Sequence, residues 1–261
     1  MDSTPPRDPK PDPRRDPRPL DGRQEPLPFL MLVPNLVTMA GMCIGLTAIR
    51  FIFVGRFEIA VGLILLGALI DGLDGMIARR LRATSEFGAE LDSLSDFLNF
   101  GVAPGLLVYQ FALTQTSGLG WVFVLLYVSC ACLRLARFNV ARAEPQPGGA
   151  HFTGVPSPAG AMLALLPVFL TQAEIFPMRT VPMLVALWLG IVGALMVSRI
   201  PTFSPKSLRV PRASVIWFLI GTVTVVGMVF TRFSLLMVLI DLLYLAGLVR
   251  AAWLHKRGKQ H

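Results

Sequence analysis

Apolar stretches of close to 20 residues recur along the chain, at about 31–55, 57–79, 87–112, 118–140, 157–174, 181–199, 213–231 and 233–253. Wound as an α-helix at ~1.5 Å per residue, each has about the length that crosses a hydrocarbon layer of ~30 Å. Inside lipid the backbone N–H and C=O groups have no water to bind, so each crossing segment must satisfy them internally, as a helix does. The expected fold is therefore all-α, a polytopic integral membrane helical bundle with about eight transmembrane helices. The composition agrees, with 54% hydrophobic and only 15% charged residues and a mean hydropathy of +0.62, more apolar than a soluble domain of 261 residues needs for its core.

The basic residues orient this bundle. With eight spans and the N-terminus inside, 20 of the 24 Lys and Arg residues fall on the cytoplasmic side, and only Arg50, Arg56, Arg179 and Arg232 on the other. The excess predicts a multi-pass protein of the bacterial inner (cytoplasmic) membrane with both termini in the cytoplasm. The net charge of +8 is then explained by this asymmetry and by anionic lipid headgroups, and no nucleic-acid partner is expected.

Residues 1–28 are of a different composition, with nine prolines and six charges of each sign. They read as a disordered cytoplasmic tail, lacking the apolar core of a signal peptide and too acidic for a transit peptide. Residues 29–254 form the expected membrane domain, and 255–261 a short basic cytoplasmic tail. Cys43, Cys130 and Cys132 lie in apolar spans without ligand spacing and read as packing residues.

Against this apolar background four acids stand out: Asp71 and Asp74, three apart, and Asp92 and Asp96, four apart. On helices each pair falls on one face, so both pairs can point at one centre. Asp71 lies about eight residues, or roughly 12 Å of helix, before the end of the second span. Asp92 and Asp96 lie at a similar depth in the third, so the four meet just below the cytoplasmic surface. Buried carboxylates are costly unless neutralised, and hard oxygen donors suit Mg²⁺ or Mn²⁺ better than Zn²⁺. A metal site that meets a lipid headgroup from the side and a water-soluble partner from the cytosol points to chemistry on phospholipid headgroups.

Asp71, Asp74, Gly75, Ala78, Arg79, Gly88, Asp92 and Asp96 match without gap or substitution the signature of the CDP-alcohol phosphatidyltransferase family, which the chain resembles. The resemblance implies a metal-dependent reaction in which an alcohol hydroxyl attacks the phosphate carried by diacylglycerol and expels CMP. It implies that Asp71, Asp74, Asp92 and Asp96 hold one or, more in keeping with a pyrophosphate substrate, two divalent ions, and that Asp96 also takes the proton from the alcohol. Contact with CDP-diacylglycerol is implied for Asp74, Gly75, Ala78, Arg79 and Gly88, and for Asn35 and Thr38 in the first span. A homodimer is implied as well.

Three further segments, Glu90 to Pro104, Arg134 to Asn139 and Phe152 to Pro158, resemble the branch of this family that uses L-serine. The sequence departs from the commoner pattern of that branch at Ser95 and Asn99. Serine brings a carboxylate and an ammonium, and Arg134, Arg137 and Asn139 on one side, with Ser93, Ser95 and Asn99 on the other, are the candidate acceptor or phosphate contacts. The same core with another pocket would accept glycerol 3-phosphate, inositol phosphate or choline. Intramembrane acids also occur in cation or proton transporters, but there they spread toward mid-membrane, whereas here all four crowd to one side. Asp241, in the last span, is a remaining intramembrane acid, expected in a helix interface or near a terminus.

Overall fold

The computed structural model describes residues 29–81, 85–143, 154–198, 224–225, 227–229 and 231–258, and among them every regular element is helical. In chain order these are α1 (Phe29–Phe53), α2 (Phe57–Leu81), α3 (Glu86–Asp96), α4 (Ala103–Val108), α5 (Leu119–Ala143), α6 (Ser157–Gln172), α7 (Pro182–Val197) and α8 (Phe233–Gly258). The expected tail at 1–28 and residues 259–261 lie outside the described residues, as do 13 of the 19 residues of the expected span at 213–231. Helix α8 continues to Gly258, past the expected end of the membrane domain at 254.

Among the described residues four helical segments, Leu32–Phe53, Phe57–Leu81, Leu119–Ala141 and Phe233–Ala251, are long and apolar enough to cross a membrane. Large apolar side chains stand outward on them, such as Leu69 at 62% and Leu243 at 74% exposure, as suits a lipid-facing surface. This is the build of a membrane protein. Helices α6 and α7, at 16 residues each, are shorter than the spans expected there. Helix α6 ends where Glu174 adopts a left-handed conformation, φ 59°. Helix α7 starts only at Pro182, whose missing N–H suits the first turn, and ends before the extended Ser198.

The expected third span is a continuous helical run that changes pitch. Helix α3 passes without a break into a π-helical turn, Phe97–Val102, then α4, then a second π-helical stretch, Tyr109–Leu113. The residue four on from Phe100 is Pro104, which has no N–H to donate, and the buried Tyr127 hydroxyl of α5 donates to the Phe100 oxygen at 2.7 Å. This turn follows directly on Asp96, where a π-helical turn resets which residues face inward.

Helix α1 lies along α2, α5 along α7, and α6 along α8, with α3 against α1. Small residues permit the closest approaches. A Cβ on Gly193 of α7 would stand 3.2 Å from the Tyr127 Cα, and one on Gly105 of α4 would stand 3.2 Å from Val128. The centre of the bundle is filled by Ile52, Leu107, Tyr127, Leu163, Phe169 and Leu189, all fully buried, and Trp188 Nε1 ties α7 to the Leu163 carbonyl of α6 at 2.7 Å.

Gly154 leads the chain into α6 with φ 88°, and a Cβ there would meet the Met196 and Ser198 carbonyl oxygens at 2.6 and 2.7 Å. Gly154→Ala combines an unfavourable left-handed backbone with a collision against main-chain atoms. It is expected to destabilise the protein by about 2–4 kcal/mol. Thermal unfolding in detergent checks this, and an unchanged melting temperature would count against the strained approach.

Candidate active site

The first three helices enclose a cavity of about 470 Å³. Helix α1 contributes Pro34, Asn35 and Thr38; α2 contributes Asp71, Gly72, Asp74, Gly75, Ala78 and Arg79. The start of α3 supplies Gly88, Ala89, Asp92 and Asp96, its N-cap supplies Ser85, and Phe138 reaches in from α5. All four acids expected at one centre therefore line one cavity, together with every residue expected to touch the nucleotide.

Local sequence builds this arrangement. The three-residue and four-residue spacings put each acid pair on one helix face. Helix α3 is fixed at its start by Ser85, whose Oγ accepts the Gly88 N–H at 3.0 Å. Gly88 also lets α1 approach, since a Cβ there would stand 2.7 Å from Asn35 Oδ1. The Thr38 hydroxyl donates to Asp74 Oδ2 at 2.7 Å and so locks α1 to the acid-bearing side of α2. It thereby provides a partner for a carboxylate that is only 4% exposed.

Oxygens of Asp71, Asp74 and Asp92 all lie within 4.8 Å of one another. Of three ligand oxygens on one octahedral Mg²⁺, at ~2.0–2.1 Å each, at most one pair stands trans at about 4.2 Å and the others stand cis at about 2.9 Å, so the three carboxylates would draw together around a hard cation. Three carboxylate donors and no nitrogen or sulfur suit Mg²⁺ or Mn²⁺, and the residues present fit a divalent metal. The fourth expected ligand, Asp96, falls outside this group of three. It stands one turn deeper on α3, beside Asp71 and Asp92, and faces the Arg134 guanidinium of α5.

The candidates for the acceptor lie beyond this cavity's lining and divide among four places. Arg134 is half-buried, faces Asp96 and donates to Ser157 Oγ at the start of α6. Ser93 and Asn139 hydrogen-bond each other across α3 and α5 at 3.0 Å. Ser95 and Asn99 instead turn into the junction of α1, α2 and α3, where Asn99 Nδ2 donates to the Gly41 carbonyl and to Ser95 Oγ, both at 3.4 Å. Arg137 is exposed and donates to the Val197 carbonyl at the end of α7, at 2.9 Å.

Pro34, Gly72, Ser85, Ala89 and Phe138 line the cavity without having been singled out in the sequence. Gly72 follows Asp71 directly, and Ser85 with Glu86 carries the signal of a helix start. Phe138 lies inside the segment from Arg134 to Asn139, where its neighbours draw attention by their charge and polarity.

The family model for CDP-alcohol phosphatidyltransferase matches residues 31–197. A Mycobacterium tuberculosis protein named CDP-diacylglycerol–serine O-phosphatidyltransferase is 41% identical over 187 residues, 70% of this chain and 64% of that protein. A Helicobacter pylori protein of the same name is 36% identical over 175 residues, 67% of this chain and 73% of its own length. A Bacillus subtilis protein, again of that name, is 38% identical over 135 residues, 51% of this chain and 74% of its own. The match thus spans just under two thirds of the mycobacterial relative.

Proposed function

Because the chain belongs to the CDP-alcohol phosphatidyltransferase family, we propose that it transfers the phosphatidyl group of CDP-diacylglycerol to the hydroxyl of L-serine and releases CMP. The observation that carries this reading is the convergence of Asp71, Asp74, Asp92 and Asp96 on one cavity of about 470 Å³, within the region that matches the family model. The naming of the mycobacterial, Helicobacter and Bacillus relatives supports serine as the acceptor.

In the reaction a bond forms between the serine oxygen and the phosphorus attached to diacylglycerol, and the bond from that phosphorus to CMP breaks. Asp71, Asp74 and Asp92 would hold one or two Mg²⁺ or Mn²⁺ ions, whose chemistry is to neutralise the pyrophosphate and the charge that builds on the departing CMP. Gly75 and Ala78 keep the face of α2 low so that the nucleotide can lie against it, with Asn35, Thr38, Arg79 and Gly88 around it. Asp96, outside the group of three, takes the proton of the serine hydroxyl. Its value as a base lies in its position against that hydroxyl. Arg134, facing Asp96, suits the serine carboxylate.

The setting belongs to the same reading. Eight spans, an inner-membrane location with the site and both termini toward the cytoplasm, and a homodimer are proposed with it. The apolar helices, the distribution of basic residues and the family likeness support these features in turn.

The test is CMP release from CDP-diacylglycerol by the purified protein in detergent with Mn²⁺ or Mg²⁺. Serine, glycerol 3-phosphate, inositol phosphate and choline are offered separately. Release with serine alone, abolished by chelator, is expected. Release with a different alcohol would overturn the acceptor, and no release with any of them would overturn the reaction.

A further inference from the structure

Helix α8 lies beyond the family-matched residues 31–197, yet it packs along α6 and brings polar groups into the bundle. The two helices run antiparallel, with Ser234 near the start of α8 donating to Gln172 at the end of α6, at 3.1 Å. The inward face of α8 carries the buried Met237, Val238 and Leu248. On that same face, three residues after the buried Asp241, sits Tyr244, whose hydroxyl is buried and has no hydrogen-bond partner among the described residues. A buried hydroxyl left unpaired costs free energy that a phenylalanine would not, so its presence asks for a partner that the described residues do not supply.

The surroundings say what that partner is. Tyr244 lies within electrostatic reach of Arg134, and Arg134 in turn faces Asp96 and donates to Ser157, which is wholly buried. A guanidinium has five N–H donors, so the bond to Ser157 leaves it capacity for more. A cation and an unpaired hydroxyl together make a site for an anion, and a carboxylate can accept from both. The same guanidinium also lies within electrostatic reach of Asp96, the proposed base. A small molecule with a carboxylate at one end and a hydroxyl at the other can bridge these groups.

We infer that Tyr244 of α8 is a binding residue of the acceptor subsite, donating its hydroxyl to the carboxylate of the incoming amino acid beside Arg134. This rests on the proposed reaction with serine. It adds to it that the acceptor subsite is completed by a helix outside the family-matched region, and that the subsite selects for a carboxylate.

Tyr244→Phe keeps the ring and removes only the hydroxyl. In full-length purified protein it is expected to raise KM for L-serine about tenfold, with KM for CDP-diacylglycerol within about twofold of the parent. The preference for L-serine over L-serine methyl ester, whose carboxylate is masked, is expected to shrink by a similar factor. A mere packing role would leave that preference unmoved. An unchanged KM for serine and an unchanged preference, in a variant that still releases CMP, would overturn the inference and leave the proposed reaction standing. Failure of the parent protein to use serine at all would overturn both.

Discussion

Asp96→Asn is expected to lower turnover about a thousandfold while leaving the affinity for CDP-diacylglycerol within about threefold of the parent, since a positioned base contributes about 10²–10⁴-fold. The argument is one of placement. Asp71, Asp74 and Asp92 offer oxygens within 4.8 Å of one another, whereas Asp96 falls outside that group and faces Arg134. The amide matches the carboxylate in shape, so the helix, the cavity and the group of three stay as they are, but it cannot take a proton from the acceptor. Binding of CDP-diacylglycerol in the presence of metal, measured beside CMP release, separates the two roles. Normal turnover would sink the assignment of Asp96 as base, and loss of binding in step with turnover would make it a metal ligand instead.

That separation also marks how far the sequence could be read. The convergence of four acids was legible because helix periodicity is local: spacings of three and four residues fix a face whatever the helix packs against. Thr38 and Asn35 were legible too, through the resemblance of the first span, and both line the cavity. Asn99 was not. Its position three residues after Asp96 suggested the acceptor pocket, but the π-helical turn that begins at Phe97 carries it into the helix junction. There it fits because Gly41, Gly45 and Gly67 leave room, and a Cβ on Gly45 would collide with its side chain. The three glycines on two other helices make the room for it, and the local sign of a break in the ladder is Pro104, which has no N–H to give the Phe100 carbonyl. Arg137 escaped for a similar reason, since its partner is the Val197 carbonyl, 60 residues away along the chain. Helix lengths were overestimated at α6 and α7, where hydropathy continues but Pro182 and the left-handed Glu174 set the ends.

The second large effect is expected at Asp74. This residue is 4% exposed, accepts the Thr38 hydroxyl at 2.7 Å and shares the group of three with Asp71 and Asp92. In Asp74→Asn the amide oxygen can still accept from Thr38, so the tie between α1 and α2 survives and the fold is preserved. What is lost is one of the three negative charges proposed to hold the metal. Even changes to groups that only orient a ligand cost ~10–100-fold in metal affinity, so removing a ligand's charge should cost at least about a hundredfold. CMP release at low Mn²⁺ should disappear, and so should metal-dependent binding of CDP-diacylglycerol, because the pyrophosphate would then meet uncompensated carboxylates. Raising the Mn²⁺ concentration should restore part of both, which it cannot do for Asp96→Asn if that residue acts as the base. Metal titrations of the two variants side by side therefore decide between the roles. An unaltered metal dependence in Asp74→Asn would remove Asp74 from the proposed metal set, and with it the reason offered for burying this acid most deeply of the four.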